Sequence, residues 1–395
     1  MSERNLDFDT VIDRRNTKSL KYDFAVKRGK PADILPLWVA DMDFRTSSYI
    51  EDALKSAAEH GIFGYTETDD TYFEAVKGWM KSQYDWDVTN ERHVIKTPGI
   101  VFALAATVNC YSEKGDPVLI CSPVYYPFSE VITDNGRRIV SSNLVETEDG
   151  SYRIDYEDFE KKIEENDIGL FLLCNPHNPG SKGWTREELE KIGDICLRHN
   201  VTVISDEIHA DFEWERKHTV FASLSPEISD ITVTCTSPTK TFNIAGLQIS
   251  NIIITDNKLR YRFRKQVDAF GFSQANAAGI YACEAAYTHG QEWLKALKEY
   301  IYDNIKFTKS YIEKNLENVR AFKTEATYLI WLDFRGTGLS DEEIDRKIIH
   351  EAGLWLDSGS IFGESGKGFQ RINAACPRSI LQEALERLVK AFKSA

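Results

Sequence analysis

The sequence predicts an α/β chain with a mainly parallel central sheet, joined to a smaller α+β domain. Three observations lead there. Short apolar runs recur through the middle of the chain without polar alternation, helical stretches separate them, and beyond about residue 290 long amphipathic helices take over.

The runs are Val118-Leu119-Ile120-Cys121, Leu170-Phe171-Leu172-Leu173-Cys174, Val201-Thr202-Val203-Ile204, Ile231-Thr232-Val233-Thr234-Cys235 and Ile252-Ile253-Ile254. Continuous hydrophobicity over so few residues suits strands buried on both faces, which is the habit of parallel sheets. Between two of them Thr185-Arg186-Glu187-Glu188 has the form of a capping box, and the helix it opens carries Leu189, Ile192 and Cys196 on one face. Another helix is expected from Ile100 through Val108. Further on, Leu294, Leu297, Ile301, Ile305, Thr308 and Ile312 follow three- and four-residue steps along one long helix. A second capping box, Ser340-Asp341-Glu342-Glu343, starts a helix that stops near Gly353, and a last helix runs from Arg378 to about Lys393.

At 395 residues the chain exceeds what one core usually serves, so two domains are expected. Their boundaries are placed at 46–288 for the large α/β domain and at 1–45 with 289–395 for the small one. The aperiodic N-terminal stretch holds Leu37-Trp38-Val39-Ala40-Asp41-Met42-Asp43-Phe44, which is expected to pack on the small domain near the cleft.

A formal charge of −14 and the lack of a basic stripe disfavour nucleic acid and anionic membranes as partners. No apolar run approaches the roughly 20 residues of a membrane helix, and the first residues lack a signal-like apolar core, so a cytoplasmic address is expected. The seven cysteines are scattered without a CxxC pair and read as reduced core residues. The eight histidines show no HExxH or paired ligand spacing, so no metal is expected. Gly363-Glu364-Ser365-Gly366-Lys367-Gly368 is similar to a phosphate loop, but Ile361 and Gly368 stand where that motif needs Gly and Ser or Thr. It reads as a flexible loop.

Four motifs follow one another in the chain: Asn175-Pro176-His177-Asn178-Pro179, Asp206-Glu207-Ile208-His209, Ser237-Pro238-Thr239-Lys240-Thr241-Phe242-Asn243 and Gln370-Arg371-Ile372-Asn373. Their order suits a pyridoxal phosphate enzyme. An amino acid's Cα–H is too weakly acidic to be lost at neutral pH, and pyridoxal 5'-phosphate is the electron sink that changes this. Such a cofactor requires a lysine on its aldehyde, an anion at the ring nitrogen, donors for the phenolate, a flat platform and phosphate ligands. Lys240 follows a strand end and would be pushed toward its neutral, nucleophilic form by burial near a cation. Asp206, at another strand end, is the candidate for the ring nitrogen. Glu207 is its rival, because only one of two successive extended residues can face the ring. Asn178 and His209 suit the phenolate oxygen, and the Tyr125 ring suits stacking. Gly99 and Ile100 open a helix whose free amides make a phosphate seat, and Ser237 and Thr239 add hydroxyls. Arg371 has the planar fork for an α-carboxylate, with Arg378 as competitor.

Taken together, these motifs resemble the fold type I pyridoxal phosphate enzymes, the class I/II aminotransferase superfamily, over nearly the whole chain. The resemblance implies a homodimer with shared active sites, in which Tyr65 matches the tyrosine that crosses from the partner subunit to the phosphate. Finer wording is similar to the MalY/PatB-type cystathionine β-lyases: the 38–44 stretch, His60-Gly61-Ile62-Phe63-Gly64-Tyr65-Thr66, Asp206-Glu207-Ile208-His209 and Lys240-Thr241-Phe242-Asn243-Ile244-Ala245-Gly246-Leu247-Gln248. His209 stands where aspartate aminotransferases have tyrosine, Gln248 where they have a phosphate-gripping arginine, and Asn178-Pro179-Gly180-Ser181 replaces the usual Asn-Pro-Thr-Gly. The implied reaction is β-elimination from cystathionine or a related L-cysteine S-conjugate, giving a thiol, pyruvate and ammonia. Transamination uses the same sink and remains the alternative; a protein that holds the cofactor without turnover is a third.

Overall fold

The computed structural model describes residues 2–393. Seven strands form the central sheet in the order Val94–Thr97, Ser250–Ile253, Thr232–Thr236, Thr202–Asp206, Leu170–Cys174, Pro117–Ile120 and Arg138–Ser141. Only Ser250–Ile253 runs antiparallel to its neighbours; the other adjacent pairs are parallel. The α/β expectation therefore holds. The sequence reading missed the strands Val94–Thr97 and Arg138–Ser141, which alternate or lie at an edge and so lack a continuous apolar run.

Both faces of this sheet are covered, which explains the unbroken hydrophobicity. Val118, Ile120, Leu172, Ile204 and Val233 pack toward the helix Ile100–Tyr111, while Leu119, Phe171, Leu173 and Val203 pack toward the helix Arg186–Arg198. Fully burying each such side chain stabilises the fold by roughly 1.5–3 kcal/mol. The predicted capping box closes the second helix: the Glu188 amide donates to Thr185 Oγ1 at 3.2 Å, and the Thr185 amide donates to Glu188 Oε2 at 2.7 Å. The second box at Ser340 and Glu343 is present too, and its helix Asp341–Arg346 continues as a π turn to Glu351.

A four-stranded antiparallel sheet, in the order Arg320–Ala321, Leu329–Asp333, Phe369–Asn373 and Asp357–Ser358, belongs to the C-terminal part. The helices Gln291–Asn315 and Arg378–Lys393 lie where periodicity placed them. The N-terminal stretch is tied here, because Leu35–Pro36 pairs in parallel with Leu354–Trp355 and Trp38 stacks on Trp355 with ring centroids 4.3 Å apart. All seven cysteines are free, and six are buried. Among the described residues no helix is long and apolar enough to cross a membrane.

Candidate active site

Ligands of an open parallel sheet collect at the carboxyl ends of its strands. Here a cavity of about 200 Å³ opens at that edge, lined by Ile100, Tyr125, Asn178, Asp206, His209, Lys240 and Arg371 among others. Residues chosen from six separate stretches of sequence thus meet in one enclosed space.

Asp206 is the last residue of its strand, and its buried carboxylate accepts one hydrogen bond from the Ile208 amide at 3.2 Å. Burial pushes its pKa up to about 7, assisted by the Glu207 charge and opposed by the Ile208 bond and by Lys240. It is a carboxylate in need of a cation. The Asp206/Glu207 choice is decided by the strand's alternation. Glu207 turns away and is fully engaged, accepting from Ser205 Oγ at 2.8 Å, from the Phe221 amide at 3.0 Å and from His218 Nε2 at 2.8 Å.

Lys240 lies in the short helix Pro238–Thr241, with Pro238 at the first turn and Ser237 as its cap. Its Nζ donates to the Ala40 carbonyl at 2.6 Å. Enclosure lowers its pKa to about 8, against the pull of Asp41 and Asp206 and with the push of Arg371. A large share of this amine is therefore neutral in mildly alkaline solution.

Asn178 and Arg371 touch: Arg371 Nη1 donates to Asn178 Oδ1 at 2.8 Å. With that oxygen occupied, Nδ2 is the end of the amide that can donate. Arg371 Nη2 donates to the Trp38 carbonyl at 3.1 Å and to Asp357 Oδ2. Arg378 does not enter the cavity; its Nε donates to Asn304 Oδ1 at 2.7 Å in the C-terminal helical layer. His209 is buried with its ring edge-on to Tyr328, and burial together with Lys240 and Arg371 holds it well below the ordinary histidine range. Its Nδ1 and the Nε of Arg371 are buried without a hydrogen-bond partner among the described residues. Two orphaned donors or acceptors and an uncompensated carboxylate around one cavity are what a bound polar group would satisfy.

The residues expected at the phosphate are less uniform. Gly99 caps the helix Ile100–Tyr111 at φ 148°, a left-handed conformation that a side chain would strain. Ile100 and Val101 line the cavity at that N-terminus. Ser237 Oγ donates to the Ile249 carbonyl at 2.7 Å and accepts from the Thr239 amide at 3.1 Å, while Thr239 Oγ1 lies 2.7 Å from it. Both hydroxyls thus stand just outside the lining. Tyr65 is not brought to the cavity within this chain: it is 99% exposed, beside the exposed Ile62 and Phe63. The glycine-rich 363–368 stretch, expected as a flexible loop, folds into short turns with Gly359 and Gly366 in backbone contact too close for any Cβ.

Four residues of the site were not singled out by role. Asp41 and Trp38 belong to the 38–44 stretch, whose place at the cavity was expected but not its function. Asn243 pins that stretch, accepting from the Met42 amide at 2.9 Å and donating to the Met42 and Phe44 carbonyls at 2.9 and 2.8 Å. Its φ of 55° follows the lysine turn and gives Asn a reason that hydropathy does not reveal. Asp357 lines the cavity from a two-residue strand, too short to leave a periodic signal.

The chain is 44% identical to cystathionine β-lyase PatB of Bacillus subtilis over 98% of its length and 100% of that protein's. It is 32% identical to protein MalY of Escherichia coli over 98% and 99% of the two chains. Cystalysin of Treponema denticola, whose crystal structure contains pyridoxal 5'-phosphate, superposes with a TM-score of 0.94 at 39% identity, over 98% of this chain and 99% of that one. The architecture is the pyridoxal-phosphate-dependent fold type I, with a mainly parallel central sheet. With residues 32–388 matching its family pattern, this chain belongs to the class I and II aminotransferase family.

Proposed function

We propose that the protein is a pyridoxal-phosphate-dependent carbon–sulfur β-lyase that cleaves cystathionine or a related L-cysteine S-conjugate, with one water, to a thiol, pyruvate and ammonia. The observation that carries the reading is the meeting of Lys240, Asp206, His209, Asn178 and Arg371 around one cavity. Similarity over full length to a cystathionine β-lyase supports it.

When bound, the cofactor supplies a conjugated cationic ring that accepts the electron pair left at Cα. Lys240 would hold its aldehyde, and Asp206 would keep the ring nitrogen protonated. His209 and the Asn178 amide would donate to the phenolate oxygen, with Tyr125 against the ring. Gly99, Ile100, Ser237 and Thr239 are the proposed phosphate ligands. The fork of Arg371 grips the substrate α-carboxylate and fixes the Cα–H toward Lys240. The lysine amine, released by the incoming substrate amine and close to neutral, takes the α proton. A thiolate leaves readily, so no strong acid is required at sulfur.

The same proposal includes a homodimer whose partner subunit lends Tyr65 to the phosphate. Supporting it, Ile62 and Phe63 are exposed along a groove of about 530 Å³ of mixed polar and apolar lining, with Tyr49, His60, Tyr281 and Glu284. The division into 46–288 and 1–45 with 289–395 is proposed on the same footing, supported by the separate C-terminal sheet, and so is a cytoplasmic address.

Incubation with cystathionine and no keto acid tests the activity. Pyruvate and free thiol are the expected products, with turnover absent in Lys240→Met. Turnover that begins only on adding a keto acid would assign the protein to transamination instead.

A further inference from the structure

Asp357 and Arg371 stand directly opposite each other in the antiparallel strands Asp357–Ser358 and Phe369–Asn373. Directly paired residues project from the same face of a sheet, so the backbone itself brings these two side chains together. Arg371 Nη2 donates to Asp357 Oδ2, both side chains are buried, and both line the cavity that holds Lys240. The guanidinium read as the substrate's carboxylate anchor therefore already carries a carboxylate. Burial pushes the pKa of Asp357 up despite Arg371 and the more distant Lys30.

We propose that Asp357 is a resident carboxylate gate on Arg371: an α-carboxylate binds by displacing it from the guanidinium, and this exchange sets the affinity for amino-acid ligands. Two carboxylates on one buried guanidinium leave one of them under-compensated. The free enzyme thus gains a satisfied arginine at the expense of ligand affinity, and a ligand must offer a well-placed carboxylate to enter. Amines without one gain nothing from Arg371 and meet no competition from Asp357. The orphaned Nε of Arg371 is a donor through which an incoming carboxylate can first engage.

The inference rests on the reading of Arg371 as the carboxylate anchor, and the experiment separates the two. Holoenzyme is titrated with 2-methylalanine, which has a carboxylate but no Cα–H to lose, and with isopropylamine, which lacks the carboxylate; Kd is read from the cofactor's visible spectrum. Asp357→Asn is expected to tighten 2-methylalanine by at least about tenfold, a gain of about 1.4 kcal/mol, and to leave isopropylamine unchanged. Asp357→Ala, which removes the same carboxylate with a different shape, moves Kd in the same direction. The melting temperature of unliganded Asp357→Asn falls, and 2-methylalanine raises it by more than it raises that of the wild type. Unchanged or weaker 2-methylalanine binding in both variants would show that Asp357 only holds Arg371 in place and overturns the gate. Equal tightening of both ligands overturns it as well, because the effect would then be a general charge change. Should Arg371→Lys leave 2-methylalanine binding intact, the anchor itself is wrong; if that variant binds weakly while Asp357→Asn matches wild type, only the gate fails.

Discussion

Lys240 Nζ and the carbonyl oxygen of Ala40 lie 2.6 Å apart, across 200 residues of sequence. The same carbonyl accepts from the Tyr328 hydroxyl at 3.0 Å. On either side of Ala40 the Asn373 amide donates to the carbonyls of Val39 and Asp41 at 2.8 and 2.6 Å, and Asn243 clamps Met42. An N-terminal stretch without helical or strand periodicity is thereby held as one wall of the site by polar side chains from three distant segments. It places Asp41 near the lysine, while Arg14 pairs with Asp41 at 2.7 Å.

Burial disfavours the ammonium form of Lys240, and Asp41 is the charge that most favours it. Asp41→Asn should therefore move the amine further below about 8. Capture of pyridoxal phosphate by cofactor-free protein needs the neutral amine, so its rate should rise with pH through that midpoint. The check is the pH dependence of that rate, with the variant's midpoint at lower pH than the wild type's.

Asp206 makes a stability prediction of its own. Its pKa is raised from 3.8 to about 7, so between those values the folded cofactor-free protein holds a proton that the unfolded chain has lost. Stability from this group is present at low pH and is lost as pH rises through that window. Asp206→Asn has no such loss. Urea unfolding at about pH 5 and about pH 8 should show the wild type losing stability relative to the variant, by on the order of 2.6 kcal/mol at most. A difference that stays constant across this range would mean that the carboxylate is ionised throughout.

Much of this site is legible in the sequence because the chemistry sits at strand ends. Asp206, Asn178 and Tyr125 follow apolar runs that can only be buried strands, and Lys240 follows another. Arg371 is visible by motif, and its strand is confirmed by pairing with Leu329–Asp333. What was not legible depends on tertiary register. Nothing in the run Leu354-Trp355-Leu356-Asp357 says that its acid will face Arg371, since only the pairing of two short strands decides it. The antiparallel direction of Ser250–Ile253 was equally hidden, because a strand buried on both faces reads the same in either direction. Glu207 was a fair rival to Asp206 until the fold supplied His218 as its partner.

That partner is itself testable. His218 bridges Glu207 at 2.8 Å and Glu213 at 3.0 Å, with all three side chains almost wholly buried. Although burial opposes its charge, the two carboxylates raise its pKa to about 9. His218→Ala strands two buried acids and should cost about 3–5 kcal/mol of stability, seen as a lower midpoint in chemical denaturation. The contribution is fully present below the ordinary histidine value of 6.5 and is lost as pH rises through about 9. The gap between wild type and variant should narrow over that interval. A gap that widens with pH would mean that the imidazole is neutral.

The shared-site proposal for Tyr65 has a sharper test than the activity of one variant. Tyr65 is 99% exposed in the single chain, so replacing it alone cannot tell a partner's contribution from a local effect. Suppose Lys240→Ala and Tyr65→Ala each lack turnover, and the two proteins are unfolded together and refolded as a mixture. If each site combines Lys240 of one subunit with Tyr65 of the other, the mixed dimer contains one doubly damaged site and one intact site. Random pairing makes about half the dimers mixed, so the mixture should recover about a quarter of wild-type activity. If Tyr65 instead served its own subunit, every mixed dimer would hold two singly damaged sites and no activity would return. Pyruvate release by the refolded mixture, compared with each variant refolded alone, distinguishes the two arrangements.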